Sequence, residues 1–131
     1  MELANNKCYR NGINGLVVHK TDRVLVHDNE IFYNGAVKKT APESRQSFAG
    51  LVINAGFDVH LYNNTVAVHF DDDTGFVLHN GSVNLDESGD NYLCGGRLDA
   101  DLVDVVEVVS DTNLCKAEYS SYLDRYLAYH D

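Results

Sequence analysis

The sequence predicts a mainly β protein: a duplicated antiparallel meander forming a partly open barrel or two-sheet sandwich, covered by a C-terminal α-helix. Three observations predict it. First, the chain carries a diverged copy of itself, residues 13–37 against residues 53–83. Val18-His19 corresponds to Val59-His60, Val24-x-Val26-His27 to Val66-x-Val68-His69, and Asn34-Gly35-x-Val37 to Asn80-Gly81-x-Val83. A repeat defines the structural unit and is read before anything else. Second, apolar residues within each copy alternate with period two, the signature of a half-buried strand. Third, an uninterrupted helical pattern closes the chain.

In the first copy, strands around Leu16–His19 and Val24–His27 flank Thr21-Asp22-Arg23, with Leu16, Val18, Val24 and Val26 toward the core and His19, Leu25 and His27 outward. Residues 30–33 and 36–39 then flank Asn34-Gly35, a strong hairpin signal because a type I′ turn needs positive φ at both central residues. In the second copy, Asp58–Tyr62 and Thr65–Phe70 flank Asn63-Asn64. Pairing Tyr62 with Thr65 puts Val59, Leu61, Val66, Val68 and Phe70 on one face, and Asp58, His60, Tyr62, Thr65, Ala67 and His69 on the other. A one-residue slip would invert every side chain, so the agreement between copies supports this register. Residues 75–79 and 82–85 flank the second Asn-Gly. About eight short strands are expected in the two copies.

Between the copies lies a polar stretch, residues 40–50, with Pro42 near its start, suited to a short helix. After them come a loop over 86–91, Tyr92-Leu93-Cys94, Gly95-Gly96, and the acidic-valine run Asp101–Val109, whose five valines favour a strand. Residues 113–130 read as the helix. Thr112 or Asn113 caps it, and Tyr119, Tyr122, Tyr126 and Tyr129 fall on one stripe.

A length of 131 residues suits a single domain, 1–131. No stretch reaches the roughly 18 apolar residues of a membrane-spanning helix, and the first dozen residues lack the pattern of a signal peptide. Three cysteines, an odd and sparse set, suit a reducing cytoplasm rather than a disulfide framework. The net charge of −10 is unevenly placed: residues 1–50 carry seven Lys/Arg against five Asp/Glu, and residues 51–131 carry three against fifteen. Such a field repels nucleic acid and anionic membrane surfaces, and it either favours a basic partner or simply keeps the protein soluble.

Two constellations stand out. In the expected register His60 and His69 lie diagonally across one hairpin with Asp58 opposite His69, three ligands of the kind zinc or iron accepts. The ordinary alternative is a solvent face kept from the duplication. Asp71-Asp72-Asp73-Thr74-Gly75 starts like a calcium loop but lacks the closing bidentate Glu. No nucleophile elbow or phosphate loop occurs, which argues against an enzyme and leaves no cofactor to expect unless the histidines hold a metal. The second constellation is a contact surface. Asp99, Asp101, Asp104 and Glu107 form an acidic row, ordinarily a solvated face, and the stripe Tyr119, Tyr122, Tyr126 and Tyr129 suits either packing in the core or a protein interface, where tyrosine is enriched.

The segment from Tyr92 to Val109 has an aromatic, then Gly-Gly-Arg, then Asp-Leu-Val and a short valine run. It resembles the ending of many small phage-encoded orphan β-barrel proteins. That resemblance implies a small viral protein in a bacterial cytoplasm that binds and inhibits a host protein or defence component. The expectation is therefore a non-enzymatic acidic protein-binding module with a host protein as partner. The alternative is a small metal- or ligand-binding protein using His60, His69 and Asp58. A third reading is a self-associating virion or assembly component, a homodimer among the options, since the pseudo-symmetry of the repeat does not fix the oligomeric state.

Overall fold

A computed structural model describes residues 1–11, 14–34, 49–68, 74–94 and 97–109. Among them are twelve strands: β1 (Glu2–Ala4), β2 (Lys7–Tyr9), β3 (Leu16–His19), β4 (Leu25–His27), β5 (Glu30–Asn34), β6 (Ala49–Asn54), β7 (His60–Tyr62), β8 (Thr65–Val68), β9 (Thr74–His79), β10 (Asn91–Cys94), β11 (Arg97–Leu98) and β12 (Val106–Val109). They form three sheets, in the orders β1-β4-β7, β12-β10-β8-β5-β2 and β11-β9-β6-β3. From β1 to β9 the chain visits the three sheets in rotation, β10 to β12 continue on two of them, and every pairing is parallel. This is a three-sided parallel coil in which each turn, or rung, lies on the one before it. Its unit resembles a solenoid repeat, which contacts only its neighbours.

The antiparallel meander, and the barrel or sandwich built from it, is thereby overturned. The error lay in the corners. Asn63-Asn64 does not reverse the chain: Tyr62 pairs with His27 in one sheet, and Thr65 pairs with Glu30 and Tyr92 in the next. Asn63 adopts φ 55°, and Asn5, Asp28 and Asp90 at equivalent corners adopt 58°, 54° and 54°. One left-handed residue, a conformation that Asn and Asp tolerate best after glycine, bends the strand onto the next face without turning it back. Asn80-Gly81 is a corner of the same kind. Asn80 has φ 50°, and a Cβ on Gly81 would lie 2.3 Å from the Gly56 carbonyl oxygen.

Each left-handed residue at the first corner is followed by a fixed partner: Asn6, Asn29, Asn64 or Asn91. These stack as a ladder. Asn29 Oδ1 accepts from the backbone and side-chain N–H groups of Asn6, Asn64 Oδ1 accepts from those of Asn29, and Asn91 Oδ1 from those of Asn64, at 2.9–3.2 Å. The amide nitrogens of Asn29, Asn64 and Asn91 also donate to the carbonyls of Leu3, Val26 and Leu61 one rung earlier. Buried amides are tolerable only when so satisfied, and Asn29, Asn64 and Asn91 are all buried. A second ladder joins Asn11 to Asn34.

The expected core-facing valines and leucines are buried, but Ala67, expected on the outer face, is buried as well. Val18, Val24, Val26, Val59, Leu61, Val66 and Val68 are buried in the central core with Ile31, Leu51, Ile53, Phe76 and Leu93. Phe32, Ala67 and Cys94 form a second cluster. The alignment of copies 13–37 and 53–83 is out of phase with the stacking: His19 sits beside Asn54, and His60 beside Leu25. Over Asp101–Val109 the expected strand is confined to β12. A 3-10 turn (Ala100–Leu102) precedes it and buries Leu102. No α-helix occurs among the described residues. The expected helix over 113–130, with its four tyrosines, lies outside them, as do residues 40–48.

Candidate functional site

The last rung carries a groove of about 310 Å3 between the β10 corner and the turn that leads into β12. Its floor is Asn91, Val105 and Val106. Its rim is Gly89, Asp90, Tyr92, Val103, Asp104 and Glu107. Two apolar side chains of this groove are open to solvent, Tyr92 at 37% and Val103 at 59%, and Val108 next to it is 52% exposed. The sequence builds the site as follows. Asn91 ends the asparagine ladder by donating to the Val105 carbonyl at 2.8 Å, which pins the turn under β10. Leu102, Val105 and Val106 are buried beneath it. β12 then runs parallel to β10, placing Glu107 beside Tyr92. β12 is the outermost strand of its sheet among the described residues. An outermost strand offers unpaired backbone donors and acceptors.

The acidic residues expected to meet a partner divide into two kinds. Asp101, Asp104 and Glu107 are exposed. Asp99 instead caps the 3-10 turn: one carboxylate oxygen accepts the Asp101 N–H at 3.2 Å and the other the Leu78 N–H at 3.3 Å. Tyr119, Tyr122, Tyr126 and Tyr129 lie outside the described residues. Asp90, Tyr92, Val103 and Val108 were missed. Exposed apolar residues are ordinary singly, and only the coil gathers these on one rung.

Of the expected metal trio, Asp58 and His60 lie among the described residues. His69 lies outside the described residues. His60 sits 3.7 Å from Asp58 through Nε2 and 2.7 Å from Glu87 through Nδ1, and Asp58 also faces Arg23 at 3.9 Å. No group of three metal-ligating side chains occurs among the described residues. The aspartate run 71–73 also lies outside them.

On the same outer face His27 bridges rungs. Its Nε2 is 2.6 Å from Glu2 and its Nδ1 2.5 Å from Asp28, and its ring stacks on Tyr62 with centroids 4.6 Å apart. Ionised carboxylates only accept, so an imidazole that bonds both of them does so with protons on both nitrogens. The hydrogen bond to Asp28, with that to Glu2 outweighing partial burial, holds His27 above its ordinary pKa of 6.5. Cys8 is a free thiol pushed up by burial, while Cys94 is disulfide-bonded, which departs from the expectation of three reduced cysteines.

Among the described residues no helix is long and apolar enough to cross a membrane. Comparison with protein-family models, curated proteins and solved structures gives no match.

Proposed function

We propose that this chain is a non-enzymatic protein-binding module whose acidic last rung takes a basic, partly apolar surface of a partner. The observation that carries this reading is the groove at β10 and β12: exposed Tyr92 and Val103 are ringed by Asp90, Asp104 and Glu107. An aromatic anchor in a shallow pocket with a charged rim is the anatomy of a contact surface. The net charge of −10 adds steering toward a cation-rich partner. An outermost strand beside the groove adds backbone hydrogen bonds for an extended segment.

The test is capture of binding proteins from a bacterial lysate by the immobilised chain, at low and high salt, beside a variant with Asp101→Lys, Asp104→Lys and Glu107→Lys. The expected result is a dominant basic protein retained at low salt, released at high salt and absent with the variant. Retention of the same protein by the triple reversal overturns the acidic-face reading.

A further inference from the structure

We infer that residues 110–131, which follow β12, are strapped across the outer face of the five-stranded sheet by a disulfide between Cys94 and Cys115, and that reduction of this bond releases them. The inference is independent of the partner assigned to the last rung.

The burial of one outward column calls for a cover. Across the sheet, Tyr9, Phe32, Ala67, Cys94 and Val109 stand side by side. Successive residues of a strand point to opposite faces. Ile31, Val66 and Leu93 fill the central core, so Phe32, Ala67 and Cys94, each one residue on, point away from it and form a cluster of their own. Yet Phe32 is 0% exposed, Ala67 2% and Cys94 5%. The column two residues earlier on the same face is open by comparison: Glu30 and Thr65 are half-buried, and Tyr92 and Glu107 are exposed. Among the described residues the apolar side chains packed on the cluster are Tyr9, Tyr33 and Val109, all from this same sheet. Neighbours within a sheet flank a phenyl ring but do not roof it, and parallel sheets are ordinarily covered on both faces.

The bond at Cys94 identifies the cover. Cys94 is disulfide-bonded, and its sulfur stands on this outer face. Of the two other cysteines, Cys8 is a free thiol and belongs to the inward column beside Ile31. The partner is therefore Cys115. The reach is short. Val109 pairs directly with Cys94, bonded cysteines have Cα atoms about 4.4–6.8 Å apart, and the six residues from Val109 to Cys115 reach up to about 20 Å. Residues 110–131 also have the composition of a cover, with three leucines and four tyrosines among 22 residues. Cys115 stands in step with the stripe Tyr119, Tyr122, Tyr126 and Tyr129, four residues before its first member. Anchoring Cys115 at Cys94 brings that stripe to Ala67 and Phe32, where tyrosine rings exclude water from the phenyl ring. Exchange with an external dithiol breaks the Sγ–Sγ bond, leaves both cysteine sulfurs protonated and converts the dithiol to a disulfide.

Full-length protein oxidised with glutathione disulfide, then denatured and alkylated without reductant, tests the bond. Peptide mapping is expected to find Cys8 alone alkylated and the Cys94 and Cys115 peptides joined. Native trypsin digestion tests the strap. Cleavage after Lys116 and Arg125 is expected to be about tenfold or more slower in oxidised than in dithiothreitol-reduced protein. Fluorescence of a dye that binds apolar surface is expected to rise on reduction, with the circular dichroism of the sheets unchanged. Cys115→Ser in oxidising buffer is expected to behave as reduced wild type, and Cys8→Ser as oxidised wild type. Alkylation of Cys94, a bond that includes Cys8, or loss of the sheet signal on reduction overturns the inference. So does equal cleavage at Lys116 and Arg125 in oxidised and reduced protein, which would assign the cover of Phe32 to another segment, such as residues 35–48.

Discussion

Asn64→Ala removes five side-chain hydrogen bonds from the middle of the buried ladder: two accepted from Asn29, and three donated, to Val26, Asn91 and Tyr62. Asn91 Oδ1 keeps a donor, the backbone N–H of residue 64. The Asn29 backbone N–H and one proton of its amide lose their acceptor, and Asn29 is fully buried. A buried donor left unsatisfied costs about 1–3 kcal/mol. Two of them give a loss of about 4 kcal/mol, a large part of the roughly 5–15 kcal/mol that holds a domain together.

Asn6→Ala is the internal control. The same substitution at the half-exposed head of the ladder removes one side-chain bond, to Asn29 Oδ1, which keeps the Asn6 backbone N–H. The expected loss is about 0.5–1 kcal/mol. Urea unfolding followed by circular dichroism reads both, the shift in midpoint at constant m giving the difference. Equal midpoint shifts for the two variants would refute the ladder as the element that holds rungs together.

Three further outcomes follow from the same geometry. Gly81→Ala places a Cβ against the Gly56 carbonyl, where backbone must move, and is expected to lose about 1–3 kcal/mol; unchanged thermal stability would contradict the close approach. Asp99→Ala uncaps the turn before β12 and is expected to lose about 1 kcal/mol, with hydrogen exchange rising first at Asp101 and Leu78. His27 has a raised folded pKa, so its contribution is full below the unfolded value of 6.5 and is lost as pH rises through the folded value. The urea midpoint is expected to fall over that window in wild type and less in Glu2→Gln, whereas identical pH profiles would disprove the imidazolium bridge.

Much of this was visible in the residues and one thing was not. Alternation told which side chains face the core, because a strand's faces are set by its own pleat. Val59, Leu61, Val66 and Val68 were placed correctly on that ground. Alternation is silent on the direction of the neighbouring strand, which the corners decide. The same Asn-Asn pair serves a hairpin or a single left-handed bend. What separated the two was the recurrence of Asn-Asn, Asp-Asn, Asn-Asn and Asp-Asn ending at residues 6, 29, 64 and 91, at spacings of 23, 35 and 27. A hairpin has no need of an asparagine at every corner, whereas a buried stack of amides does. The irregular spacing hid the period, and the match of His19 with His60 drew attention one strand out of phase. The groove was illegible for a different reason: Tyr92 and Glu107 become neighbours only when β12 lies parallel to β10.

The coil also changes what the charge asymmetry means. In a meander or barrel, residues far apart in sequence fold back on one another, and a basic first half would partly neutralise an acidic second half. In a parallel coil, sequence position maps onto height along the axis. Lys7 and Glu107 close opposite ends of one sheet, four strand spacings apart, or about 19 Å at roughly 4.8 Å per spacing. That exceeds the Debye length of about 8 Å in physiological salt, so the two ends present separate fields of opposite sign. Reversing Lys7 is therefore expected to leave the affinity of the last rung for a short basic peptide unchanged at physiological salt, while reversing Glu107 weakens it. Isothermal titration with an oligolysine peptide distinguishes the two. Equal losses from both substitutions would mean that the ends are electrostatically one surface, and the axial polarity argued from the fold would not stand.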